Sequence, residues 1–160
     1  MNTILVSMVS RRSATVLAAN LVLTLALKTV PVEAATESSC PSQSVQVTRA
    51  RFREFLDLLL VHKDPRQAFE RFAAPDLIQH NAAFGTSRES TIGQWVKTQA
   101  DPASRFEVLS VLVDGSLGAA RFHGIMHGGE RGATVAQFVR FSCGRIAEIW
   151  DVFQPDSAGS

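Results

Sequence analysis

From Arg105 onward the sequence changes its period, and that change limits what the chain can fold into. Four runs, Phe106–Val113, Leu117–His127, Ala133–Ser142 and Arg145–Gln154, carry the β-branched and aromatic residues of strands. Between them stand Asp114-Gly115, Gly128-Gly129 and Cys143-Gly144. Each pair is tight-turn chemistry, because glycine takes positive φ without steric cost. Strands joined by such short turns must run antiparallel to their neighbours. A mostly antiparallel sheet is therefore expected over the second half of the chain.

The stretch before Arg105 has the period of helices. Phe52, Phe55, Leu56, Leu59 and Leu60 recur at helical spacing, with Arg49, Arg53, Glu54 and Asp57 between them. Asp64-Pro65 opens a second helix, since the Asp carboxylate can accept orphan backbone N–H groups and Pro suits the first helical position. Ala68, Phe69, Phe72 and Ala73 form its apolar stripe, and Pro75-Asp76 ends it. Leu77–Asn81 reads as a brief strand. Thr86-Ser87-Arg88-Glu89 fits a capping box for a third helix buried through Ile92, Trp95 and Val96, which Asp101-Pro102 terminates. Three helices beside an antiparallel sheet make an α+β fold, with the helices packed on one face.

Residues 1–34 read as an export signal. Arg11 and Arg12 precede an uncharged run from Ala14 to Leu27, and Val32-Glu33-Ala34 follows the small-residue rule for cleavage. The run is shorter than the roughly 20 residues that a bilayer core demands, so no stable membrane anchor is expected after cleavage. Residues 35–44 read as a flexible leader, and residues 45–155 as the domain. The two cysteines, Cys40 and Cys143, would be free to bridge in an oxidising compartment. Two unrelated thiols are the alternative, because spacing does not show whether their Cα atoms come within about 7 Å.

Several functions are excluded or disfavoured by composition. Beyond the signal the charges nearly balance and no basic run exists, which leaves nucleic-acid binding without support. His123 and His127 lie four apart on a predicted strand, about 13 Å at 3.3 Å per residue, so they are not expected to share a metal. No Gly-x-Ser-x-Gly elbow is present, and the absence of tyrosine removes a phenol-based oxyanion hole. No metal and no cofactor are expected.

Ile78-Gln79-His80-Asn81 and Gly144–Val152 (GRIAEIWDV) resemble the SnoaL-like proteins, a family that includes polyketide cyclases and belongs to the nuclear-transport-factor-2-like superfamily. The resemblance covers most of residues 45–154. It implies a cone, a curved sheet wrapped around a helix with an apolar pocket between them. It also implies acid/base groups at two strand positions that correspond here to Gln137 and His123. An amide cannot exchange a proton at neutral pH, so Gln137 is expected to orient substrate. His80, Asn81, Trp150 and Asp151 match the family pattern, whereas Ile149 stands where a histidine is common.

The expected site is thus His123, His80 and Asp151 for proton transfer, with Gln137, Asn81 and Trp150 binding substrate. By strand alternation only one of Trp150 and Asp151 faces the cone interior, and the sequence leaves open which. The expected activity is aldol-cyclase or isomerase-type proton transfer on a small apolar molecule. The alternatives are a non-catalytic ligand-binding module and an interaction domain that forms a homodimer through its outer sheet face.

Overall fold

A computed structural model describes residues 40, 43–129 and 131–157. The predicted export signal lies outside the described residues, as does most of the leader. The element order is α1 (Val45–Leu56), a π-helical turn (Asp57–Val61), α2 (Pro65–Phe72), β1 (Ala73–Gln79), a 3-10 turn (Ala82–Phe84) and α3 (Arg88–Gln99). The strands β2 (Arg105–Asp114), β3 (Leu117–Ile125), β4 (Ala133–Ser142) and β5 (Arg145–Pro155) follow. Among the described residues no helix is long and apolar enough to cross a membrane.

Helix starts follow local chemistry. Asp64 Oδ1 accepts the Gln67 N–H at 2.9 Å, and Pro65 occupies the first position of α2. The capping box of α3 is shifted by one residue from the expected one. Ser87 is the N-cap, and it exchanges hydrogen bonds with Ser90 rather than Thr86 with Glu89. The helical stripe of α1 runs on into the π turn, where His62 N–H donates to Asp57 O at 2.9 Å. His62 closes that turn beside Asp57, at 3.1 Å.

The sheet order is β1-β5-β4-β3-β2, antiparallel throughout except that β1 runs parallel to β5. The hairpin turn between β4 and β5 is the expected two-residue one, with Cys143 and Gly144 at φ 50° and 72°. The turn after β3 is longer than Gly128-Gly129 implied, since β3 stops at Ile125. Asp101 holds that loop by accepting the Gly128 N–H at 3.0 Å. A disulfide joins Cys40 to Cys143 and fastens the chain ahead of α1 to the β4–β5 turn.

The helices cover one face of the sheet. Phe52 of α1 meets Phe141 of β4 edge-on at 5.7 Å, and Trp95 of α3 meets Phe106 of β2 at 5.6 Å. Gly124 of β3 makes room there, because a Cβ would lie 2.8 Å from the Phe106 ring. Two extra residues set which side chains reach this inner face. Leu109 is inserted in β2 between Val108, opposite Phe122, and Ser110, opposite Arg121. Ala147 is inserted in β5 between Ile146, opposite Phe141, and Glu148, opposite Arg140. Each insertion reverses the alternation. Val108 and Val111 therefore both face in, as do Ile146 and Ile149.

Candidate functional site

The Ala147 insertion decides the register of β5. Ile149 is fully buried, and Asp151 shares its face, opposite Gln137 on β4. Trp150 and Glu148 point to the outer face. Gln79 of β1 pairs with Ile149 and also faces inward, only 2 % exposed.

These three side chains form one hydrogen-bonded group. Asp151 Oδ2 accepts from Gln79 Nε2 at 3.2 Å, and Asp151 Oδ1 accepts from Gln137 Nε2 at 2.9 Å. Gln79 is locked in turn, because its Oε1 accepts the Asn81 N–H at 2.9 Å. A backbone N–H can only donate, so the amide end facing Asp151 must be the NH2. Burial pushes the Asp151 carboxyl above its ordinary range, while the two amide donors pull it part of the way back.

An aromatic wall adjoins the carboxylate. One step along the strands from the Gln137–Asp151 pair, Phe122, Val135 and Phe153 stand side by side. Phe153 stacks on Phe84 at 6.3 Å, Phe84 meets Trp95 at 5.2 Å, and Phe106 reaches Phe122 at 6.5 Å. The inner face thus joins one partly buried carboxylate to an aromatic cluster that is mostly core, with Phe153 as its exposed ring for a flat apolar body.

The other expected site residues are placed differently. His80 stacks on Trp150 with ring centroids 4.4 Å apart and bonds Glu148 Oε2 at 2.8 Å, on the outer face. His123 alternates with the inward Phe122, so it too faces outward, opposite Thr134. Its Nε2 lies 2.8 Å from Asp156 Oδ2. His127 stands near Asp101 instead, at 3.8 Å. The Asn81 side chain caps the 3-10 turn by accepting the Ala83 N–H at 3.1 Å. Of the expected set, Asp151 and Gln137 come together on the inner face, and His80 and Trp150 on the outer one. Gln79 was not expected, although a lone amide two residues after the apolar Leu77 signals a polar group on a buried face.

Two cavities lie elsewhere. One of about 520 Å³ opens between α1, the π turn and β2, and another of about 310 Å³ adjoins the disulfide. The charged groups of the first are exposed, and its carboxylates Glu54 and Asp57 pair with Arg71 and His62. At Asp151 burial outweighs the hydrogen bonds and raises the pKa, whereas at Asp101 and Glu148 the hydrogen bonds win. We therefore centre the candidate site on Asp151.

The SnoaL-like domain model matches residues 52–149. The chain belongs to this family. The fold agrees with solved structures of low sequence identity. An NTF2-like protein of unknown function from Mesorhizobium loti matches at 21% identity and a TM-score of 0.60, over 71% of this chain and 96% of that one. A putative ketosteroid isomerase from Kribbella flavida matches at 18% identity and 0.58, over 72% and 84%. A SnoaL-like polyketide cyclase from Agrobacterium tumefaciens matches at 20% identity and 0.56, over 67% and 91%. No curated protein sequence matches the chain.

Proposed function

We propose that this SnoaL-like protein is exported and that its inner sheet face binds a small, largely apolar ligand. Asp151 acts there as the base that moves a proton next to a carbonyl. The observation that carries this reading is the Asp151 carboxylate, held between two amides on the face lined by aromatic rings. A carboxylate freed from part of its solvation is a stronger base than one in water, and its raised pKa lies closer to neutrality.

The step is a simple exchange. The α C–H bond of the ligand breaks, its proton goes to a carboxylate oxygen of Asp151, and its electron pair moves onto the carbonyl oxygen. The acid then returns the proton, so nothing is oxidised and no cofactor is consumed. Gln79 and Gln137 position the carboxylate by donating to its two oxygens.

Exchange of the α protons of an enolisable aryl ketone into deuterated water, followed by NMR, tests the reading. Native protein should accelerate exchange, and Asp151→Asn should remove most of that acceleration. Ligand binding without exchange in the native protein would favour the non-catalytic module, which the amide at position 137 also suits. Export is checked by intact mass, with secreted material expected to begin near Ala35.

A further inference from the structure

Gln137 is 1% exposed, and its two amide ends have unequal fates. Nε2 donates to Asp151, whereas Oε1 is buried and has no hydrogen-bond partner among the described residues. The orientation follows from chemistry, since an ionised carboxylate only accepts and the end 2.9 Å from Oδ1 must carry the hydrogens. Gln79 offers no equivalent, because both ends of its amide are engaged. A buried acceptor left unpaired is destabilising, and a suitable donor would relieve it.

We infer that Gln137 selects, through Oε1, a flat apolar ligand that presents a hydroxyl donor, such as a phenol or an enol, over one presenting only a carbonyl or ether oxygen. The inference rests on the reading of the inner face as the ligand site. The amide offers a ligand its acceptor end because Asp151 already holds the NH2. The neighbouring Phe153, the exposed ring of the aromatic cluster, supplies the flat apolar contact.

Equilibrium dialysis with 2-naphthol and 2-methoxynaphthalene separates the possibilities, since the two differ in the donor and share the aromatic body. Native full-length protein should hold 2-naphthol roughly tenfold more tightly, as expected for one hydrogen bond made in a water-poor site. Gln137→Leu should bring the two affinities within about twofold, a loss of that single contact. Equal affinities in the native protein would overturn the donor assignment and leave the pocket reading standing. Failure of both compounds to bind would overturn the two together. A naphthol preference that persists in Gln137→Leu would place the donor's acceptor elsewhere and also overturn it. If Gln137→Leu does not fold, Gln137→Met, which keeps the side chain's length without its amide, takes its place with the same two outcomes.

Discussion

Glu148 and Asp151 lie on the same strand three residues apart, yet the two faces of the sheet treat them in opposite ways. On the outer face, Glu148 is bonded by His80 and Arg140, and both hold its pKa below the ordinary carboxylate range. On the inner face, Asp151 meets only neutral amides, and burial raises its pKa. A carboxylate stabilised by a guanidinium and a ring N–H is a poor base. One supported only by dipoles keeps its appetite for a proton. Position relative to the sheet, more than residue type, therefore separates a surface ion pair from a candidate base.

The comparison breaks most visibly in catalysis. Asp151→Asn should lower α-proton exchange by about 10²–10⁴-fold, the usual contribution of a positioned base. Glu148→Gln should leave the rate within about twofold, because its contacts lie on the other face. Equal losses in both variants, measured by deuterium incorporation, would erase the distinction between the faces.

Next in size is the disulfide, which tests whether the inner face depends on the clasp ahead of α1. Replacing Cys40 and Cys143 by serine should cost roughly 2–4 kcal/mol of stability, read from denaturant midpoints. Exchange by the folded fraction should be unchanged. A chain that kept its midpoint would show that the bridge does not support the domain.

The two carboxylates should also answer pH with opposite signs. Asp151 takes its proton more readily when folded than when unfolded, because its pKa is raised above 3.8. Its contribution is most favourable below that value and is lost as pH climbs through the raised one. Glu148, held below 4.5, contributes fully above that value, and its share disappears as pH falls through the lowered one. Asp151→Asn should accordingly melt higher than the native chain at pH 7 and lose the advantage in acid. The substitution is accommodated because Gln137 is free to turn its amide while Gln79 is not. Glu148→Gln should melt slightly lower than the native chain at pH 7 and converge with it in acid. Thermal melts across pH 3–7 check both signs.

The smallest effect on stability concerns the outer face, where Leu112 of β2, Phe138 of β4 and Val152 of β5 are exposed. We propose that a second copy pairs on this face. Phe138→Asp should halve the mass seen by light scattering and, at concentrations too low for pairing, shift the melt by less than about 0.5 kcal/mol. A native chain of monomer mass would sink the pairing.

Much of the fold was legible because its signals are local. The turn at Cys143-Gly144 and the helix start at Asp64-Pro65 each depend on a few adjacent residues, and both stand where the sequence puts them. The faces were less legible, because they depend on counting across long distances. The inserted Leu109 and Ala147 leave no strong local mark, and each reverses the count for every residue beyond it. Trp150 and Asp151 could not be told apart for that reason. The regular register of β3 then separates His123 from Gln137, which the resemblance had joined. The π turn was hidden as well, since its apolar residues keep a helical look.

Ala147 has a consequence for how such a chain can change in length. A ladder in which Ile146 pointed in and Glu148 pointed out would be regular without it. Loss of that one codon should therefore leave Asp151 beneath the helices, with a straighter strand and the same chemistry. Loss of a codon at Trp150 would instead turn Asp151 toward the outer face and end its contact with both amides. Relatives that gain or lose a residue on this strand are thus expected to do so beside Ala147, where lineage can drift in length while the carboxylate stays inside.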